Sequence, residues 1–365
     1  MNTVHHLSST LNSLSFDLWF QQLLEQPANI WDELNFNYLF RQSLHQRAKA
    51  LVQTAYQDDS QKAMAARNAL HSALDTLYAK DFSIPGEEGI EKDIQPIVRD
   101  ITSLFEKAMF AHEYAQLDER IVTDYPKEGK KYVRWLKQLI SNHTSSIHPL
   151  YNEYLRNEAN ADELAYYLAQ ESTLDPRFDD FLALMQVGTR GEEKMEIASN
   201  YWDEMGNGNH DDVHTKLFAR ALTDLNVSES YIQEYTLHEA RVCGNLSAAL
   251  ALSRRHYFKA VGYFGVTEYL APRRFNHVVK AWRRNELPNA GIVYHDLHIR
   301  IDSVHAKAWL NNVIAPIVDR NPAFGREIAV GVMIRLNSSE RYLDTMLDIF
   351  NNGNVPDRRE YSQAS

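Results

Sequence analysis

The chain has one cysteine in 365 residues, Cys243, and this scarcity excludes several kinds of site. A single thiol cannot form a disulfide within the chain, and clusters of thiolates around zinc or iron–sulfur centres are excluded as well. The N-terminus lacks the pattern of a signal peptide, and no apolar run approaches the roughly 18 residues that a membrane helix needs. We therefore expect a cytoplasmic protein in a reducing compartment.

Positive charge is also scarce: the chain has 38 Lys and Arg but 49 Asp and Glu, which gives a formal net charge of −11. Nucleic acids and anionic membranes bind basic surfaces, so the sequence predicts neither as a partner. Short basic pairs do not change this balance. We interpret Arg273 and Arg274 as a solvated surface pair rather than as a site for a substrate carboxylate.

Strand patterns are scarce too, and apolar residues recur at helical spacing almost everywhere. The best strand candidate, residues 261–269, fits a buried helix equally well. We expect Gly262 and Gly265 to interrupt that helix and Pro272 to end it. The fold class predicted from the residues is all-α.

Three segments are expected along the chain. Residues 1–145 form an N-terminal helical region, residues 146–350 a second helical domain, and residues 351–365 a disordered polar tail. The N-terminal region contains histidines at 45, 71 and 112 without carboxylates at ligand spacing on a shared face. We interpret these histidines as structural or solvated.

One helix carries three metal-binding types of side chain on a single face. His298, Asp302 and His305 are spaced i, i+4 and i+7, which stacks them on one side of an α-helix. Two imidazoles and a carboxylate that converge in this way form half of a metal site. A solvated helix face is the alternative, but Leu297 and Trp309 flank the stripe as core-type residues.

The other half of such a site must come from other helices. Glu171 continues the apolar stripe of its helix, where an unpaired buried carboxylate would cost several kcal/mol. The full set of further candidates is Glu171, Glu204, His214 and Glu268. Asp203 competes with Glu204, His210 competes with His214, and we interpret His295 as a pocket-lining residue rather than a ligand.

The combined set of three imidazoles and four carboxylates suits two ferrous or manganous ions. Carboxylates can bridge two ions, and mixed nitrogen and oxygen ligands favour iron over thiophilic metals. The sequence contains no Glu-x-x-His, which ferritin-like di-iron proteins pair on two helices. It also lacks the His-Glu-x-x-His motif of zinc proteases. Both of these alternatives are disfavoured.

The ordered pattern resembles the heme-oxygenase-like di-iron oxidases and oxygenases, also called iron-containing redox enzymes. The resemblance extends over about residues 148–350. It rests on His298-x-x-x-Asp302-x-x-His305, with Glu268 thirty positions before His298 and His214 farther upstream. Ala169-Gln170-Glu171 and the run Tyr-Trp-Asp-Glu-Met-Gly-Asn at 201–207 add to it.

This resemblance implies a seven-helix heme-oxygenase-like bundle without heme, in which two Fe(II) ions per chain use O2 as co-substrate. It implies that metal binding and catalysis involve His214, Glu268, His298, Asp302, His305 and one upstream glutamate. Members that oxygenate nitrogen have an additional carboxylate ligand. Because Glu171 and Glu204 are both available, N-oxygenation is favoured, and which of the two glutamates coordinates stays open.

The resemblance also bears on assembly, because residues 1–145 look like the helical extension with which longer members dimerise. A homodimer is therefore expected. No segment resembling the C-terminal cupin domain of some multidomain members is present.

The function expected from these points is that of a non-heme di-iron oxygenase acting on a small amine or amino-acid-like substrate. An external donor would supply two electrons per turnover. One alternative is a six-ligand di-iron oxidase that cleaves a C–C bond or desaturates an aliphatic substrate. Another is a metal-free helical binding protein on the same bundle, although buried acids without a counter-charge are electrostatically expensive. The residues do not identify the substrate or the donor.

Overall fold

A computed structural model describes residues 3–11, 13–84 and 95–361, except for the side chains of residues 3–5, 28, 360 and 361. The regular structure of these residues is entirely helical, and no strand occurs among them. The prediction of an all-α fold is confirmed. None of the described helices is long and apolar enough to cross a membrane. The chain divides into two compact units, residues 1–116 and 117–365.

The described residues of the first unit form six helices around an aromatic core. Their bounds are α1 Thr3–Thr10, α2 Phe16–Leu24, α3 Ala28–Phe36, α4 Tyr38–Ala55, α5 Gln61–Asp81 and α6 Pro96–Ala115. The rings of Phe16 and Phe105 meet edge to face at 5.3 Å in its core. Asn37 and Ser60 cap α4 and α5, because each side chain accepts a backbone N–H of the first turn.

The N-terminal histidines fit the structural interpretation. His71 is buried, and its Nε2 lies 3.2 Å from the hydroxyl of Tyr56. The ring of His112 packs on that of Tyr56 at 4.8 Å, whereas His45 is exposed. Within the part of the chain that the structure describes, none of the three belongs to a metal-type cluster.

In the second unit, the residues that the structure describes form twelve further α-helices. Their bounds are α7 Glu119–Thr123, α8 Gly129–Asn142, α9 Ala161–Glu171, α10 Phe178–Gln186, α11 Gly191–Glu204, α12 His214–Asp224, α13 Glu229–Tyr235, α14 His238–Leu252, α15 Tyr257–Arg284, α16 Val293–Ala308, α17 Ala315–Arg320 and α18 Phe324–Asn351. Short 3₁₀ turns lie at Thr144–Ser146, Asp175–Arg177, Gly206–Gly208, His210–Asp212, Arg254–His256 and Arg358–Tyr361, and π-helical turns at Leu150–Leu155 and Trp309–Ile314.

The centre of this unit is α15, which is buried over most of its length and packs against α16 and α18. The expectation that glycines and Pro272 would break it is wrong. A Cβ at Gly262 would overlap the carbonyl oxygen of Ile328, so this glycine lets α15 approach α18 closely. Pro272 lies inside the helix. Because it has no N–H, it leaves the carbonyl of Glu268, four residues earlier, without a helical partner.

The close approach of α15 and α18 gives a stability prediction. A Cβ at Gly331 would overlap the carbonyl oxygen of Lys259, so Gly331→Ala should lower the free energy of unfolding by about 1–3 kcal/mol through overpacking. Chemical denaturation measures the change. Asp348→Ala, an exposed position on the same helix, is the control and should shift stability by no more than about 0.5 kcal/mol. Equal stability of the two variants would contradict this packing.

The second unit begins before the expected boundary at residue 145. The Gly129 N–H donates to Asp319 at 2.6 Å, and the Tyr132 hydroxyl donates to the carbonyl of Gly325 at 2.7 Å. These bonds tie α8 to α17 and α18. At the other end of the unit, Arg358 donates to Asp162 at 2.9 Å, while residues 362–365 of the expected tail lie outside the described residues. The domain bounds at 145 and 350 stay predictions.

Candidate metal centre

Four helices deliver the predicted metal-type side chains to the interior of the second unit. Glu204 is the last residue of α11, and His214 is the first residue of α12. Glu268 lies midway along α15, and α16 supplies the other three residues, His298, Asp302 and His305. All six side chains are buried, each at most 4% exposed.

The connection between α11 and α12 positions Glu204 against His214. Gly206, Asn207 and Gly208 have positive φ angles of 60°, 53° and 87°, the left-handed conformation that glycine and asparagine adopt most easily. This turn reverses the chain within a few residues. As a result, Nδ1 of His214 lies 2.7 Å from Oε2 of Glu204, although the residues are ten positions apart.

Glu204, His214 and His298 form the first group. Each offers one ligand atom, and the three atoms lie within 4.8 Å of one another. Nδ1 of His298 donates to the carbonyl of Tyr294 at 2.6 Å, which leaves the lone pair on Nε2, the usual arrangement of a metal-binding histidine. That Nε2 atom is 3.7 Å from Oε1 of Glu204.

Glu268, Asp302 and His305 form the second group, again with ligand atoms within 4.8 Å of one another. Nε2 of His305 lies 2.7 Å from Oδ2 of Asp203. Its Nδ1 faces Glu268 Oε2 at 3.6 Å and Asp302 Oδ1 at 3.7 Å. Neither Nδ1 of His305 nor Oε1 of Glu268 has a hydrogen-bond partner within the described part of the chain. A bound cation would satisfy both buried atoms, whose isolation is otherwise costly.

The two groups differ in how their acids are balanced. Burial raises the pKa of Glu204, but the hydrogen bond with His214 and the nearby imidazole of His298 outweigh burial and lower that pKa to about 2. Burial, followed by the charges of Glu268 and Glu204, raises the pKa of Asp302 well above its usual range. The second group therefore holds more negative charge than the protein itself balances, which suits a divalent cation.

The pKa of His305 reflects the same excess of negative charge in the second group. Burial lowers the pKa of its imidazole, but the carboxylates of Glu268 and Asp203 outweigh burial and raise it to about 9. The negative charge that raises this pKa would equally favour a cation between Glu268 and Asp302. The six residues together fit two cations with mixed nitrogen and oxygen ligands.

Both groups border one small cavity of about 30 Å³, which four of the six residues line, two from each group: Glu204, His298, Glu268 and Asp302. Such a volume holds about one water molecule. Aromatic and aliphatic side chains complete the wall, among them Phe178, Phe275 and Tyr294. The two groups are therefore neighbours in a largely apolar interior rather than separate surface sites.

Asp175 is a fourth acid at this cavity, beside Glu204, Glu268 and Asp302, and it was not among the residues predicted from the sequence. It begins the 3₁₀ turn after α9, is 8% exposed, and lines the same cavity. Its Oδ2 atom has no partner among the described residues. Burial, and then the charges of Glu171 and Glu204, raise its pKa well above its usual range. The sequence spacing could have indicated Asp175 as a candidate, because it follows Glu171 by four residues.

Glu171, the predicted seventh ligand, lies in neither group. Its Oε1 accepts a hydrogen bond from the hydroxyl of Tyr342 at 2.8 Å. Burial raises its pKa, while Tyr342, Arg335 and Arg274 act to lower it. The structure therefore brings together six of the seven predicted residues, and Glu171 binds to neighbouring side chains instead.

The competing residues also have defined places. Asp203 contacts His305 rather than replacing Glu204. His210 is exposed, whereas His214 is buried. His295 is fully buried without a partner for either ring nitrogen within the described chain, and its ring packs on Phe275 at 4.9 Å instead of lining the cavity.

The contact between Asp203 and His305 gives a prediction about metal affinity. Asp203→Asn should weaken Fe(II) binding at the second group by about 10–100-fold, because the carboxylate that orients the imidazole is lost. An amide nitrogen facing Nε2 would also favour the wrong tautomer. Anaerobic titration against a competing chelator measures the affinity. Asp211→Asn, an exposed change in the neighbouring connection, should leave it unchanged; an equal effect of both variants would refute the assignment.

Residues 165–340 match a family model described as iron-containing redox enzyme. The matched segment contains all six residues of the two groups together with Asp175 and Glu171. No curated protein matches the chain.

Proposed function

Through residues 165–340 the chain belongs to the iron-containing redox enzymes, and on that premise we propose that it is a di-iron, O2-dependent oxygenase. Its substrate would be a small amine or amino-acid-like molecule, with N-oxygenation as the leading reaction. The observation that carries this proposal is the pair of buried three-residue groups around one cavity.

Each group would hold one Fe(II) ion. Glu204, His214 and His298 would bind the first ion, and Glu268, Asp302 and His305 the second. The two ions would supply O2 activation, with two electrons per turnover from an external donor. Asp175 offers the additional carboxylate for which the sequence left Glu171 and Glu204 open, and its partnerless Oδ2 at the cavity supports that role.

The chain's own residues would exclude water from the site, and Tyr294 would keep its phenolic proton. Phe178, Phe275 and Leu174 form apolar wall around the acids, which strengthens every electrostatic interaction inside. Burial, and then the charges of Asp175 and Glu204, raise the pKa of Tyr294 well above its usual range. Its phenol therefore keeps its proton and can donate a hydrogen bond to Asp175.

Arg335 supports a substrate that carries a carboxylate. This arginine is 8% exposed, and its Nε donates to the hydroxyl of Thr267 at 3.0 Å. Thr267 in turn lines the cavity. Among the described residues, Arg335 has no carboxylate within ion-pair distance, although its charge lowers the pKa of the buried Glu171 carboxyl. The same guanidinium would attract the carboxylate of an amino-acid substrate bound in the cavity.

Anaerobic Fe(II) titration followed by exposure to O2 tests the proposal. We expect two irons per chain and a transient visible absorption on adding O2. No iron uptake would refute it and favour the metal-free binding protein. Glu204→Ala should lose iron, whereas Glu171→Ala should keep it.

The type of reaction is tested separately with ¹⁸O2 and a pool of amines and amino acids, followed by mass spectrometry. N-oxygenation predicts product that carries the label on nitrogen. Unlabelled alkene or a shortened carbon chain would instead support the six-ligand oxidase. The homodimer stays a prediction, which sedimentation of the full chain would test.

A further inference from the structure

A second and larger cavity, of about 420 Å³, lies on a different face of α15 and α16 from the metal centre. Tyr269 and Arg273 of α15 line it, and so do Ser303 and Lys307 of α16. On a helix these positions point about a third of a turn away from Glu268 and from the stripe of His298, Asp302 and His305. No residue of the two metal-type groups lines this cavity.

The charged lining of this cavity is entirely basic. Lys137 of α8, Arg273 of α15 and Lys307 of α16 contribute one cation each, and no aspartate or glutamate lines it. Within the described residues none of the three forms an ion pair with a carboxylate. The one hydrogen bond from these cations is that of Arg273 to the Asn152 side chain at 3.3 Å. Lys137 is half-buried and Arg273 and Lys307 are exposed, so the three cations give the mouth of the cavity a positive potential that favours an anion.

The basic lining continues outward along α8. Lys130, Arg134 and Lys137 are spaced i, i+4 and i+7, which places them on one face of that helix. Lys130 and Arg134 are exposed, and neither is ion-paired in the described part of the chain. Lys131, on another face, pairs with Glu128 at 2.7 Å. In a chain with a net charge of −11, this local positive field attracts anions to the cavity.

The uncharged lining indicates what kind of anion fits. Ser141 and Ser303 bring hydroxyl groups to the cavity, while Leu270, Pro272 and Leu310 form apolar wall. Tyr269, which is half-buried, adds an aromatic ring. Small-molecule sites typically combine an apolar wall with a few convergent polar groups in about 300–1,000 Å³. The lining therefore suits a molecule with one anionic group and one apolar, ring-shaped part.

We propose that this cavity binds a phosphate-bearing small molecule of mononucleotide size. Lys137, Arg273 and Lys307 hold the phosphate, with hydroxyl groups nearby as hydrogen-bond donors. The ring lies against Tyr269 and the apolar wall. The site uses no metal ligand, so it does not depend on the proposed oxygenase function.

Isothermal titration calorimetry of the full chain, in phosphate-free buffer of low ionic strength, tests this site with two matched ligand pairs. Flavin mononucleotide is compared with riboflavin, and adenosine monophosphate with adenosine, because each pair differs only by the phosphate. We expect one equivalent of at least one phosphate ester to bind, and at least tenfold weaker binding of its dephosphorylated partner.

Variants locate the binding. Lys137→Gln with Lys307→Gln should weaken binding of the phosphate ester at least tenfold. The control, Lys49→Gln with Lys194→Gln, removes the same charge from exposed positions outside the cavity and should leave the affinity unchanged. Circular dichroism verifies that both proteins are folded. The proposal is overturned if neither ester binds, if riboflavin and adenosine bind as well as their phosphates, or if both double variants lose affinity equally.

Discussion

Replacing His298 by alanine should lower the Fe(II) that each chain retains from two ions to one. The Nδ1 proton of His298 is engaged by the carbonyl of Tyr294 at 2.6 Å, so Nε2 has its lone pair free toward Glu204. Without this imidazole, the first group keeps only Glu204 and His214, which already contact each other at 2.7 Å. Two ligands hold a divalent ion poorly, and we expect the affinity of that site to fall at least about 100-fold. Iron analysis after anaerobic gel filtration measures the effect.

His295→Leu is the matched control for this variant. His295 lies one turn earlier on the same helix and is fully buried, but its ring packs on Phe275. Leucine fits such apolar surroundings, so this variant should retain both irons. If His298→Ala kept two irons per chain, or if His295→Leu lost one, the first group would not be the site that we describe.

Asp302→Asn should have opposite effects on metal binding and on the stability of the metal-free protein. Iron at the second group should be lost, because an amide is a poor substitute for a carboxylate ligand. The metal-free protein should gain about 1–2 kcal/mol in its free energy of unfolding, as substitutions at strained functional sites often do. The reason is that burial and the charges of Glu268, Glu204 and Asp175 make the Asp302 carboxylate unfavourable in the folded state.

Chemical denaturation in the presence of a chelator measures this stability, and iron analysis measures the loss of metal. Asp296→Asn makes the same chemical change at an exposed position of the same helix, where Asp296 pairs with Arg283 at 2.9 Å. A surface pair contributes about 0–1 kcal/mol, so the control should be neutral or slightly destabilised. If the metal-free Asp302→Asn protein were less stable than the parent, the carboxylates of the second group would not lack a balancing positive charge in the metal-free state.

The helices and one face of the site could be predicted from sequence because both follow from local periodicity. The helix expected to carry Glu171 is present as α9, Ala161–Glu171, and Asn160 and Glu163 form a capping box at its start. The spacing of His298, Asp302 and His305 likewise requires only that α16 be a helix. Local rules suffice where a feature lies within one element.

The positions of Glu171 and Asp175 relative to the cavity could not be predicted in the same way. Glu171 ends α9, and the chain then enters a turn whose direction depends on packing rather than on periodicity. That turn brings Asp175 to the cavity and leaves Glu171 bonded to Tyr342. The contact of Asp203 with His305 joins residues 102 positions apart, so tertiary packing decides it.

Pro272 shows how tertiary packing overrides a local rule. A proline usually ends or kinks a helix, yet α15 continues through it to Arg284. Packing of α15 against α16 and α18 stabilises the helix on both sides of the proline. The same packing explains why Gly262 permits close approach instead of interrupting the helix.

Crystallography of the Fe(II)-loaded protein, with data collected on both sides of the iron absorption edge, tests the central claim most directly. Two anomalous peaks per chain should appear, one among Glu204, His214 and His298 and the other among Glu268, Asp302 and His305. A single peak in fully loaded crystals, or peaks away from these six side chains, would contradict a di-iron centre built from the two groups.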